Sequence, residues 1–98
     1  MKLRLSEQAQ RDIRRIDDWW AEHRSKNPSL FRQELSSTLE HIEATPSLSS
    51  VYVSRSGKRY RKVPLGRSRE VLYFEYLPDE DLIVVITIAS PVAGLPEL

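Results

Sequence analysis

The residues best equipped for chemistry lie in one run, SRSGKRYRKVPLGRSR over 54–69, which holds seven Arg and Lys and no acid. The bases are Arg55, Lys58, Arg59, Arg61, Lys62, Arg67 and Arg69, with Tyr60 set among them. Two uses of such a run are open. It can keep an edge strand soluble, because charges, Lys above all, blunt the unpaired rim of a sheet. It can also meet an anionic partner, an acidic protein tail or a nucleic acid, with Tyr60 stacking on a base. The other titratable groups offer less. His23 and His41 form no His-x-x-x-His pair and the chain has no cysteine, so no metal site is expected. Asp17–Asp18 and Asp79–Glu80–Asp81 read as a helix face and a turn, and paired-carboxylate catalysis needs a burial that a turn does not give. The only glycines are Gly57, Gly66 and Gly94, too few for a phosphate-cradling loop, and no cofactor is expected.

A chain of 98 residues allows one domain, here read as 1–98 with 90–98 a C-terminal tail. Without cysteine there are no disulfides, and a reducing cytosol fits. The opening MKLRLSEQAQ has no apolar stretch of the secretory kind. The longest apolar run, LIVVITIA at 82–89, is far short of the roughly 20 residues a membrane helix needs. The expectation is a cytoplasmic domain with no membrane partner. A net charge of +1 conceals segregation: residues 1–50 carry eight bases and eight acids, 51–69 seven bases and no acid, and 70–98 six acids and no base. Segregated charge makes a local field that the average hides.

The elements that must position these residues follow from hydrophobic period. KLRL at 2–5 alternates and predicts a short strand. Ser6 is placed to cap a helix with Ala9, Ile13, Ile16 and Trp20 on its apolar face and Arg11, Arg14, Arg15 and Asp18 opposite. The pattern breaks at RSKNPS, where Asn27 reads as an N-cap and Pro28 as a first helical residue. A second helix carries Phe31, Leu35, Leu39 and Ile42 on one face and ends before Pro46, so the two helices form an antiparallel hairpin. TPSLSS at 45–50 reads as a loop. From residue 51 the period becomes that of strands: VYV, then RYRKVPL, which ends near Pro64, then EVLYFEY and LIVVITIA. The predicted architecture is α+β, in the order β-α-α-β-β-β: an N-terminal strand and a helical hairpin packed on a three- to four-stranded antiparallel sheet. Leu72, Phe74 and Tyr76 oppose Val71 and Tyr73, and Leu82, Val84, Ile86 and Ile88 oppose Ile83, Val85 and Ala89. Both faces are then apolar, and either the tail AGLPEL or another chain must cover the second.

The order of LSEQAQRDIRRIDDWW, a Pro-started helix, YRKVPLGRSREVLYFEY and DLIVVITIAS resembles the ParE/RelE superfamily of type II toxin–antitoxin toxins, over about residues 3–90. The long helical hairpin before the sheet is most similar to the ParE-like branch. The resemblance implies a cognate antitoxin that wraps the toxin, giving a hetero-oligomer, and DNA gyrase as the target. Such a tail gains its order on binding, as an added strand or a helix in a groove. It implies partner contacts at Trp19, Arg59, Tyr60, Arg61, Leu72, Phe74, Val84 and Ile86. Adjacent Trp20 continues the core face about 100° away around the helix, which leaves Trp19 flanking, either to pack under the loop or to meet a partner chain. The alternatives are a RelE-like ribosome-dependent mRNA endonuclease and a non-toxic binding module of the same fold. A nuclease of that kind implies Arg59, Arg61, Lys62 and Tyr73 as a metal-free site stabilising phosphorane charge. Many superfamily members carry a basic or His-containing segment after the last strand, whereas this chain reads ASPVAGLPEL, which counts against the nuclease and leaves the toxicity of this chain open.

Overall fold

Ser6 begins the first helix as its position predicts. The computed structural model describes residues 1–24, 26–91, 96 and 98. Its elements are β1 (Lys2–Leu5), α1 (Glu7–His23), α2 (Leu30–Ala44), β2 (Ser50–Val53), β3 (Arg59–Pro64), β4 (Val71–Leu77) and β5 (Leu82–Ala89). The Ser6 hydroxyl accepts from the Ala9 N–H at 3.0 Å, the capping bond expected of that residue type. It also donates to the Ile86 carbonyl at 2.6 Å, so the cap ties α1 to β5.

Two local expectations are corrected. The cap of α2 is Ser29, which makes no side-chain cap bond, and not Asn27. The Asn27 N–H donates to the Arg24 carbonyl and its own carbonyl accepts from the Leu30 N–H, so its backbone closes two turns before the helix begins. The 45–50 loop contains one 3-10 turn, Pro46–Leu48, with Pro46 buried.

The sheet has five strands, one more than the upper expectation, in the order β1-β5-β4-β3-β2. It is mixed, because β1 runs parallel to β5 while the other neighbours are antiparallel. Pro64 ends β3, where its missing N–H interrupts nothing further along the ladder. Between β4 and β5 the register slips at Tyr73/Phe74, pairing Phe74 with Val85 but Tyr73 with Thr87. This bulge corrects the predicted alternation: Ile88, opposite Leu72, joins the buried set with Ile83 and Val85 and does not follow Val84 and Ile86.

The core lies between the hairpin and one face of this sheet. Ala9, Ile16 and Trp20 from α1 and Phe31, Leu35 and Ile42 from α2 meet Leu72, Phe74, Ile83, Val85 and Ile88. Leu3, Leu5 and Val63 pack on its margin. One acid joins them. Asp12 shares the apolar stripe of α1, and its carboxylate accepts from the Thr87 hydroxyl at 2.5 Å and the Ile88 N–H at 3.0 Å. Burial alone would push that carboxyl up, but the bonds from Thr87, Ile88, Gln8 and Arg15 more than offset it and hold the group below its ordinary value.

Candidate partner-binding surface

Cross-strand pairing sorts the basic run onto two faces of the sheet. Arg61 pairs with Phe74 and Phe74 with Val85, so Arg61 and Arg59 lie on the helix side, together with Val51 and Val53 opposite them on β2. Lys62 pairs with Tyr73, and Tyr60 with Tyr52, on the open side. The four residues expected of a nuclease site are thus not brought together. Arg59 and Arg61 stand on one face, Lys62 and Tyr73 on the other.

Each group also has local work. The Arg61 guanidinium donates to the Ser49 carbonyl at 2.8 Å and the Ser47 carbonyl at 3.2 Å, pinning the 45–50 loop to β3. Tyr73 is 3% exposed, with the Tyr52 ring edge-on at 5.2 Å. Burial, and secondarily Tyr52, push its hydroxyl above the ordinary tyrosine range, which suits a packed ring better than a proton acceptor. Lys62 lies over the Tyr52 ring, its ammonium 5.8 Å from the centroid. Tyr60 is buried, with the Lys58 ammonium over its ring at 5.4 Å, so its face is not offered to a nucleobase. Lys58 is further held by Glu75 at 2.9 Å, and that partner raises its pKa. Part of the charge segregation seen along the sequence is therefore cancelled across β3 and β4.

The predicted partner residues separate in the same way. Leu72 and Phe74 are enclosed in the chain's own core and present no surface, because β4 is a central strand with the hairpin above it. Val84 and Ile86 are half-buried on the other side of β5. Val84 is opposite Glu75 on β4 and Arg4 on β1, so charge interrupts that face and it is not the continuous apolar sheet expected. Whether the tail AGLPEL covers it falls mostly on residues 93–95 and 97, outside those described. Trp19 is 43% exposed, away from the strands.

The exposed apolar surface is instead at the β2 edge. Leu48, Val51 and Val53 are 75%, 45% and 56% exposed. Helix α1 packs over β5 and β1, while β2 lies at the opposite end of the sheet with Val51 and Val53 left exposed on its helix side. On that side, Val51, Arg59, Arg61 and Tyr76 line a small cavity of about 200 Å³, with Tyr60 between the two arginines along the strand. The outer rim of β2 is unpaired, so it can accept an added strand whose side chains alternate between Val51/Val53 and solvent. Sequence reasoning missed Val51 and Val53 by giving the apolar excess to the two longest strands. The short VYV run beside TPSLSS was the available signal.

The chain matches the family described as ParE toxin of type II toxin–antitoxin system, parDE, over residues 3–90. Among solved structures it is similar to a chain in the crystal structure of the intact E. coli RelBE toxin–antitoxin complex. The identity is 18% and the TM-score 0.60, with 91% of this chain and 94% of the other covered. At that identity the likeness establishes the fold alone. No curated protein matches the sequence significantly.

Proposed function

The chain belongs to the ParE toxin family of type II toxin–antitoxin systems, and from that premise we propose that it is the toxin of such a pair, acting when free by binding DNA gyrase and not by cutting RNA. The observation that carries the choice is the division of Arg59/Arg61 from Lys62/Tyr73 between two faces, with Arg61 tied to carbonyls and Tyr73 buried. A metal-free nuclease needs such groups to converge on one phosphate, within hydrogen-bond reach. A gyrase-binding toxin needs only surface. The cognate antitoxin, in this reading, seats on the β2 edge, where Leu48, Val51 and Val53 give it apolar area and Arg59 gives it a charge to pair.

The test is to titrate the folded, antitoxin-free protein against gyrase and follow supercoiling. Inhibition that saturates with toxin is expected. Undiminished supercoiling at every ratio overturns the gyrase assignment, and new 5′ ends inside translated messages on induction would favour the nuclease. The antitoxin part is tested separately, by co-purification with the product of the adjacent reading frame.

A further inference from the structure

A larger cleft, of about 1330 Å³, opens between the C-terminal half of α1, the residues leading into α2 and the turn from β3 to β4. None of its lining belongs to β2. Besides Arg15, which pairs with Asp12, four cations line it: Arg24 and Lys26 from one wall, Arg67 and Arg69 from the other. Among the described residues none of the four has an acidic partner within 4.0 Å. Arg24 rests over the exposed ring of Trp19, 5.5 Å from its centroid.

The wall that carries two of these cations is fixed in place. Glu34 of α2 accepts from the Arg67 N–H at 2.7 Å and the Ser68 N–H at 2.9 Å. Arg69 sits in the left-handed region at φ 61°, where a side-chain-bearing residue is unfavourable, and its N–H donates to the Gly66 carbonyl. The fold thus holds two guanidinium groups with no ion pair among the described residues on a turn fixed by Glu34, across from a Trp and two further bases. Arg and Trp are the residues that dominate protein–protein contacts when partly desolvated.

We infer that this cleft is a docking groove for an acidic, apolar-bearing peptide segment of a partner protein. The exposed Trp19 ring and half-buried Leu30 supply an apolar lining, while Asp18, Glu22 and Glu70 on the same walls would repel a continuous polyphosphate. Spaced carboxylates with leucine or aromatic side chains between them satisfy both. For the partner's identity as antitoxin the inference rests on the toxin–antitoxin reading; the recognition chemistry stands apart from it.

The probe is a labelled synthetic peptide of alternating Glu, Leu and Phe, followed by fluorescence anisotropy against the full chain, with a Lys-for-Glu version and a thymidine oligonucleotide as comparisons. Saturable binding of the acidic peptide is expected, weakening as salt is raised. The Arg67→Glu/Arg69→Glu variant should lose about tenfold or more in affinity, as one lost charge contact of this kind is worth about 1.4 kcal/mol. Arg24→Glu/Lys26→Glu, which leaves the strained turn untouched, should do the same, while Arg55→Glu should change it less than about twofold. Unchanged affinity in both cleft variants overturns the inference, as does tighter binding of the oligonucleotide. An antitoxin that grips both cleft variants as tightly as the unmodified chain would sink the groove yet leave the toxin–antitoxin reading standing.

Discussion

At the scale of single residues the molecule turns on two carboxylates in unlike settings. Asp12 is buried and fully bonded, and Asp12→Ala would strand the Thr87 hydroxyl and the Ile88 N–H away from water. The expected cost is about 3 kcal/mol, read as a lowered urea midpoint with an unchanged slope. Because its folded-state pKa lies below the ordinary 3.8, the stability it confers is complete above that value and disappears as pH falls through the depressed folded value. A urea series from pH 6 to pH 2 should show Asp12→Asn losing that pH-dependent increment. Glu70 has the opposite sign. Burial pushes it above the ordinary 4.5, and its Oε2 is buried without a hydrogen bond. Stability is therefore greatest below 4.5 and is lost as pH rises through the raised folded value. Glu70→Gln should melt higher than the unmodified chain at pH 7, and the difference should vanish below pH 4. Neither role was legible in the sequence. Asp12 falls within the apolar stripe at 9, 12, 13, 16 and 20, but only the partner strand shows that its bonds are met.

At the scale of elements, the β3–β4 turn depends on a contact from another part of the chain. Glu34 caps it, and a Cβ on Gly66 would stand 2.9 Å from the Glu34 Oε2 at a φ of 129° that L-residues rarely adopt. Gly66→Ala should therefore destabilise by about 2 kcal/mol in chemical unfolding. Glu34→Ala should speed hydrogen exchange at the Arg67 and Ser68 amides while leaving the β4–β5 ladder protected. The Arg61 bonds to Ser47 and Ser49 do comparable work for the 45–50 loop. Helix and strand positions were legible because period alone sets them: Ala9, Ile16, Trp20, Phe31, Leu35 and Ile42 are all core. The bulge at Tyr73/Phe74 and the Ser29 start of α2 were not, because each is decided by backbone pairing that side-chain period does not encode.

At the scale of the whole molecule the class was legible in the sequence, and the exposure of Leu48, Val51 and Val53 was not. The apolar run of β4 and β5 points to partner contacts at Leu72, Phe74, Val84 and Ile86, whereas the hairpin buries Leu72 and Phe74, and the exposed trio sits on and beside the shortest antiparallel strand. Val51→Asp/Val53→Asp should abolish antitoxin co-purification yet shift stability by no more than about 0.5 kcal/mol, since both side chains already face solvent. A complex that survives this pair of changes would place the antitoxin elsewhere. The parallel pairing of Lys2–Leu5 with Leu82–Val85 has a further consequence. The first strand synthesised must wait for the last before it has a neighbour, and the start of α1 waits for Val85 and Ile86 as well. During translation the sheet cannot close until the segment through Ala89 has left the ribosomal tunnel. A chain ending before β5 would lack the strand that joins both ends of the fold, leaving β1 without its neighbour and the Ser6 cap without the Ile86 carbonyl.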